Sequence, residues 1–349
     1  MRHVLLGASG VGTSVYALGT ATFGESADEA EAGRVLDTFT ELGGLMVDTA
    51  DAYADGRSEQ IVGWWLRKQS TEKRGRLLLS TKGGGYTTSA AMNEWGNTRH
   101  NLSRALDQSL RRLGVDSVTL YQMHTWDPLT PLEETLSFLD SAVSQGKIQY
   151  VGLSNFTGWQ IQKSVALAKE LGLAGPVTYQ AQYNLLCREV EWEIIPAGRD
   201  NGMGLMAWSP LSGGLLTDKY SPHRSPEGEA RFTDRMERGK MHDNYVNALY
   251  RAHTERDRTW DVLKILRDLA AAREVTPAAV ALAWVAARPG VSGVVLGARD
   301  ARQLESNLAA RDVVLDESDL ALLNEASDPR PAGYPYGDFG TMQRSRTLE

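Results

Sequence analysis

Eight short apolar runs recur along the chain, most of them followed by a stretch of helical periodicity, and this alternation limits the fold more than any other feature. The runs are "YALGTATFG" from Tyr16, "GLMVDTA" from Gly44, "LLLSTK" from Leu77, "VTLYQMH" from Val118, "IQYVGLSN" from Ile148, "VTYQAQYN" from Val177, "GLMAWSP" from Gly204 and "GVVLGAR" from Gly293. Between them, Leu102, Leu106, Leu110 and Leu113 make one helical stripe, and Leu132, Leu136, Leu139 and Val143 make another. Strands that alternate with helices pair in parallel through right-handed crossovers. Eight such units suggest a closed (β/α)8 barrel, although a doubly wound open sheet shares the periodicity. No longer repeat is visible, so residues 1–349 read as a single domain.

Two stretches break the period. Residues 217–258 mix charges, prolines and glycines and read as a long insertion loop. Residues 327–349, with "SDPRPAGYPYGDFG", read as a C-terminal tail, and both segments are suited to fold over a barrel mouth. The start of the chain carries a competing signal. "HVLLGASGVG", residues 3 to 12, looks like a strand entering a glycine-rich turn, as at many dinucleotide sites, but the third glycine position holds Val15 and no amphipathic helix follows. It reads instead as a hairpin closing the bottom of the barrel, with Gly7, Gly10 and Gly12 at its turns.

A net charge of −7 without a basic block argues against a nucleic-acid partner. No apolar run approaches a membrane span, and the first residues are too short and glycine-broken for a signal peptide, so no membrane partner and a cytoplasmic location are expected. The single cysteine, Cys187, rules out an internal disulfide or a cysteine-based zinc site, and no metal site is expected.

Chemistry gathers at the C-terminal ends of the runs, which is where barrel enzymes work. The second run ends in Asp48 with Tyr53 five residues on, the third in Lys82 and the fourth in His124. A phenol titrates near ~10 in water, and a neighbouring ammonium favours its anion. An aspartate beside that lysine keeps the ammonium charged in a dry site. Together the four groups read as a device in which Tyr53 protonates a carbonyl oxygen, Lys82 tunes it, Asp48 holds Lys82, and His124 orients the carbonyl. Such a device supplies a proton, so a reduced cofactor must supply hydride. Ser154, Asn155 and Gln180 are suited to bond a carboxamide, and Trp208 offers a stacking face. Gly297 and Arg299 precede a helix and read as a site for the adenosine 2′-phosphate, which favours NADP(H).

These segments, from "LGTATFG" through "DTADAYADGRSE", "STKGG", "SLRRLGVDSVTLYQMH", "GKIQYVGLSNF", "QYNLLCREVE" and "WSPLSGGLLTDKY" to "VLGARDARQLESNL", resemble the aldo-keto reductase superfamily over nearly the whole chain. The flavour is nearest its bacterial reductases and potassium-channel β-subunits. The resemblance implies a (β/α)8 barrel without a Rossmann domain, and a catalytic tetrad at Asp48, Tyr53, Lys82 and His124. It implies NADP(H) contacts at Gly19, Thr20, Ser154, Asn155, Gln180, Trp208, Ser209, Leu211, Gly213, Lys219, Gly297, Arg299, Gln303 and Asn307. Ala21 stands where some relatives carry a bulky aromatic, and with Trp95 and Trp126 it is a candidate for the substrate pocket. Ser306 stands where relatives are often acidic. The implied activity is reversible NADPH-dependent reduction of a small-molecule aldehyde or ketone. Two rival readings are a redox-sensing binding module like the channel β-subunits and a lyase using Lys82 as a Schiff-base nucleophile.

Overall fold

A computed structural model describes residues 1–85, 93–220, 251–331 and 333–344. Each of the eight apolar runs contributes one strand: β3 (Tyr16–Gly19), β4 (Met46–Asp48), β5 (Leu78–Gly83), β6 (Val118–Met123), β7 (Ile148–Ser154), β8 (Pro176–Gln182), β9 (Gly204–Trp208) and β10 (Val291–Gly297). They pair in parallel in sequence order, and β10 returns to β3, so the sheet closes into a (β/α)8 barrel. This resolves the choice left open by the periodicity, because an open sheet would leave two strand edges. The two leucine stripes lie on the helices Arg99–Leu113 and Leu132–Ser144, whose stripe leucines are buried.

Alternate residues of a strand face the same side, and in this barrel the inward positions change character from bottom to top. Ala17, Met46, Leu120, Met206 and Val295 pack with Leu6 into a small apolar plug, joined by Leu78, Tyr150 and Val177. Two residues further along their strands stand Gly19, Asp48, Gln122, Trp208, Gly297 and Ser80. Another two bring Lys82 and His124. The outward positions, among them Val47, Leu79, Tyr121, Tyr179 and Leu205, join the larger core beneath the helices. Burial therefore fixes both faces of each strand, and a one-residue slip would put charge into the helix layer.

The N-terminal stretch is an antiparallel hairpin of β1 (His3–Leu5) and β2 (Gly12–Ser14). It closes the bottom: the Ala8 amide donates to Val177 O at 3.3 Å and the Gly7 amide to Ser292 Oγ at 3.2 Å, both at strand starts. Only Gly7 of its three glycines is demanded by the backbone. Its φ is +55°, and a Cβ there would lie 1.8 Å from Val177 O, whereas nothing lies within 4 Å of a Cβ on Gly10 or Gly12.

The region read as an insertion loop is shorter in irregular structure than expected. Residues Ser212–Thr217 make 3-10 turns and a helix begins at Asp257, while positions 221–250 lie outside the described residues. The tail ends in the short helix Asp338–Arg344. Before it, Tyr336 stacks on Trp192 with centroids 5.1 Å apart, and its hydroxyl donates to the Glu193 carboxylate, so this part of the tail lies against the segment after β8. Among the described residues no helix is long and apolar enough to cross a membrane.

Candidate active site

Lys82 is the hub. Its side chain is fully buried, and its ammonium donates to Asp48 Oδ2 at 2.6 Å, to Thr49 O at 2.9 Å and to Tyr53 Oη at 3.3 Å. An ammonium has three donors, and all three are used. Burying an unpaired charge costs several kcal/mol, about as much as a small domain has to spare, so the satisfied geometry is what makes the site tolerable. Asp48 is bound as completely: its Oδ1 accepts from Ser80 Oγ at 2.8 Å and Gln122 Nε2 at 3.1 Å, with Gln180 Nε2 further off at 3.4 Å. Burial alone pulls the Lys82 ammonium down, but the Asp48 carboxylate and the Tyr53 oxygen outweigh it and hold its pKa above the ordinary lysine value.

Tyr53 reaches this hub because of an unusual turn. After β4 the chain makes a 3-10 turn, Tyr53–Gly56, in which Ala54 and Asp55 have φ of +48° and +53°. Left-handed alanine is costly, by about 1–2 kcal/mol, and such strain clusters where a side chain must be aimed. Here it aims the phenol at Lys82. His124 follows β6, its ring edge-on to Tyr53 with centroids 5.8 Å apart. Burial, then the Lys82 charge, pushes its pKa down to about 3, so the imidazole is neutral. Nδ1 is buried without a partner and is walled by Gly85, where a Cβ would lie 2.7 Å away. An unmatched buried N–H is the costlier orphan, so the proton belongs on Nε2, which leaves that nitrogen as a donor. The four groups thus assemble a charged ammonium against a phenol, with a neutral hydrogen-bond donor beside it. That combination lowers the cost of a phenolate and suits proton exchange with an oxygen held between Tyr53 and His124.

The later strand ends are built differently. Asn155, exposed and left-handed at φ +59°, donates to His124 O at 2.9 Å and to Ser154 Oγ at 3.2 Å, and its Oδ1 accepts from Trp208 Nε1 at 3.1 Å. It fixes the half-exposed Trp208 ring relative to His124. In the following turn Ser209, Ser212, Gly213 and Gly214 all have positive φ, and Ser212 Oγ is buried without a partner. Successive left-handed residues turn backbone amides into a concavity suited to anions. Leu211 lies in the same turn, and Lys219 stands exposed just beyond it. Gly297 ends β10 exposed, with nothing within 4 Å of an added Cβ.

A dinucleotide fits these residues as a set, because they offer an orphaned hydroxyl, a strained amide-rich turn, a fixed aromatic face and an open glycine. The helix Ala301–Leu308 fits less simply than its position suggests. Its first amides are already taken, Gln303 N by Asp300 Oδ1 at 2.7 Å and Ala301 N by Glu31 Oε1 at 3.0 Å. Anion recognition there falls to the Arg299 guanidinium. Gln303 and Asn307 hold the turn in place, Gln303 Oε1 accepting from Arg299 N at 2.8 Å and Asn307 Nδ2 donating to Gly297 O at 3.3 Å. Thr20 is also internal, bonded to Asp48 O at 3.2 Å and to Ser58 Oγ at 2.8 Å, and Gly19 packs its missing side chain's space against Val295. Of the pocket candidates, Trp126 is half-buried and packs edge-on against Phe156 and Trp159, Trp95 is 48% exposed, and Ala21 is half-buried.

Sequence reading missed Ser80, Gln122 and Trp159. A signal for the first two existed. Ser80 lies two residues before Lys82 and Gln122 two before His124, so strand alternation puts them on the inner face one layer below. Trp159 carries no such mark, because its role depends on packing against Trp126.

The described strands of the barrel all lie within residues 16–328, the span that matches the model of the aldo/keto reductase family. The chain is 34% identical over 342 residues to YrpG, an uncharacterized oxidoreductase of Bacillus subtilis (strain 168), an alignment covering 95% of this chain and 98% of that protein. It is 34% identical over 322 residues to a probable voltage-gated potassium channel subunit beta of Arabidopsis thaliana, covering 90% of this chain and 92% of the other. An aryl-alcohol dehydrogenase (NADP(+)) of Phanerodontia chrysosporium is 27% identical over 346 residues, 97% of this chain and 85% of the other. Fold, matched span and relatives agree: this chain belongs to the aldo/keto reductase family of oxidoreductases.

Proposed function

We propose that the protein catalyses the reversible, NADPH-dependent reduction of an aldehyde or ketone to the alcohol. One observation carries the reading: the Lys82 ammonium touches both the Asp48 carboxylate and the Tyr53 hydroxyl in a buried site at the barrel mouth. A nicotinamide dinucleotide, when bound, supplies the hydride. Ser154, Asn155, Gln180, Trp208, Ser209, Leu211, Gly213 and Lys219 would hold its nicotinamide and phosphate portions, and Gly297 and Arg299 its adenosine end. Tyr53 gives its proton to the carbonyl oxygen as the carbon is reduced. Lys82 stabilises the phenolate left behind, and Asp48 keeps Lys82 charged. Neutral His124 donates from Nε2 to the same oxygen, which orients the carbonyl and offsets charge growing on it. The aromatic flank of Trp95, Trp126 and Trp159 and the small Ala21 favour a flat, bulky carbonyl, in keeping with the aryl-alcohol dehydrogenase among the relatives.

A second reading has a specific observation behind it, the similarity to plant channel β-subunits. In that case the protein is a slow reductase whose cofactor state controls partner contact. A lyase reading loses support, since a Schiff base requires a neutral amine and Lys82 is held charged with all its donors occupied. The test is NADPH oxidation across sugars, aryl aldehydes and polyketide-like ketones, beside an NADH control. Turnover near ~1 s⁻¹ or above with any of them favours the enzyme over the sensor. NADH outperforming NADPH would contradict the role given to Arg299.

A further inference from the structure

Behind β5, on the side away from Lys82, lies a second buried charge cluster that the proposed reaction does not use. Glu59, fully buried on the helix Arg57–Arg67, accepts from Arg112 Nε at 2.7 Å and from Thr81 Oγ1 at 2.5 Å. Thr81 is the β5 neighbour of Lys82 and faces the opposite way. Asp51 belongs to the same region. Its amide donates to Lys82 O at 3.1 Å, its Oδ1 is buried without a hydrogen-bond partner, and so is the hydroxyl of Tyr121 on β6. The charges bearing on Asp51 are Glu59, Arg112 and Lys82, and Tyr121 in turn feels Asp51 and Glu59. Lys82 is already matched by Asp48, so two carboxyls share one guanidinium. Like charges confined together in a dry site do not both ionise, and one proton is retained.

This cluster is joined mechanically to the turn that aims Tyr53. Gly56 closes that turn at φ +85°, and a Cβ on it would lie 2.9 Å from Arg112 Cδ and Nε. Arg112 therefore supports the turn from below while it holds Glu59. If Asp51 loses its proton, Arg112 is pulled between two carboxylates, and the backbone resting on it must follow.

We propose that Asp51 is a positioning residue for Tyr53, which keeps Arg112 committed to Glu59 and the Tyr53–Gly56 turn in place only while its carboxyl is protonated. The inference rests on the proposed reductase activity for its kinetic readout. Burial, then the Glu59 charge, raises the Asp51 carboxyl to about 7, against the opposing pull of Arg112, the Ala52 amide and Lys82. The expected ionisation thus falls in the range where an enzyme of this kind works.

The experiment is kcat/KM against pH for wild type and Asp51→Asn, with NADPH and 4-nitrobenzaldehyde. The amide imitates the protonated acid and cannot ionise. The ratio of variant to wild type stays near one at about pH 6 and rises several-fold by about pH 8.5, a comparison in which the Tyr53 ionisation cancels. KM for NADPH is the same in both. A ratio that does not change with pH overturns the proposal. If Asp51→Asn does not fold, Tyr121→Phe removes a polar neighbour and moves the wild-type limb to higher pH, and an unmoved limb is equally fatal. Infrared spectra separate this inference from the functional reading. A protonated-carboxyl band that disappears around pH 7 supports the state assigned to Asp51, even if no carbonyl is reduced, and its absence from wild type at about pH 6 overturns the assignment.

Discussion

The two halves of the barrel mouth are held together by different physics. From β4 to β6 the polar groups are buried and bonded to one another: Asp48, Ser80, Lys82 and Gln122 have protein partners throughout. From β7 to β10 they are exposed, strained or orphaned, as with Asn155, Ser209, Ser212 and Gly297. A satisfied network is rigid and fixes proton positions, whereas a row of open donors and left-handed amides is suited to something that arrives. The first half reads as the proton machine and the second as the cradle for the hydride donor, with Asn155 as the link through His124 O and Trp208 Nε1.

Substitutions can break this division at either side. The largest effect is expected on turnover: Tyr53→Phe removes the proton donor and lowers kcat by about 10³-fold, within the span for general acid catalysis, with NADPH affinity unchanged. Next is stability. Lys82→Met strands the Asp48 carboxylate in a dry core and costs about 3–5 kcal/mol in urea unfolding, and adding Asp48→Asn recovers part of it. In the second half, Arg299→Ala removes charge-assisted contacts worth about 1.5–3 kcal/mol, so NADPH affinity falls by about tenfold or more while NADH affinity holds. Asn155→Ala, which cuts neutral hydrogen bonds on both sides, lowers turnover and cofactor affinity by a few-fold each.

The smallest effects concern pH and separate the inside of the wall from its outside. His124, held near 3 by burial and by Lys82, contributes stability that is present above its unfolded value of about 6.5 and is lost as pH falls toward 3. Asp51 runs the other way. Its folded value is raised from 3.8 to about 7, so stability is lost as pH climbs through that window. Melting curves should therefore show Asp51→Asn gaining on wild type from about pH 4 to about pH 7 and no further above it.

How far the sequence could be read follows the same division. The barrel was legible because eight apolar runs at strand ends obey a period, and the acid, phenol, ammonium and imidazole stood at consecutive ends. Asp48, Lys82 and His124 needed only alternation. Tyr53 was harder, because its reach depends on left-handed Ala54 and Asp55, a conformation that neither residue advertises. The adenosine end was least legible. The helix after Gly297 looks like an open anion site from its position, but Glu31, 270 residues away, fills one of its amides. Tertiary contacts of that kind leave no local mark. The same holds for Asp51, whose neighbours come from two helices and two strands.

The division itself is tested most directly by measuring NADPH affinity and single-turnover rate on the same preparations of Tyr53→Phe and Arg299→Ala. The account predicts a crossed result: Tyr53→Phe binds NADPH like wild type and fails to reduce the carbonyl, while Arg299→Ala binds it weakly and reduces at the wild-type rate once saturated. If both variants lose binding and rate together, the two halves are not separate devices and the account is wrong.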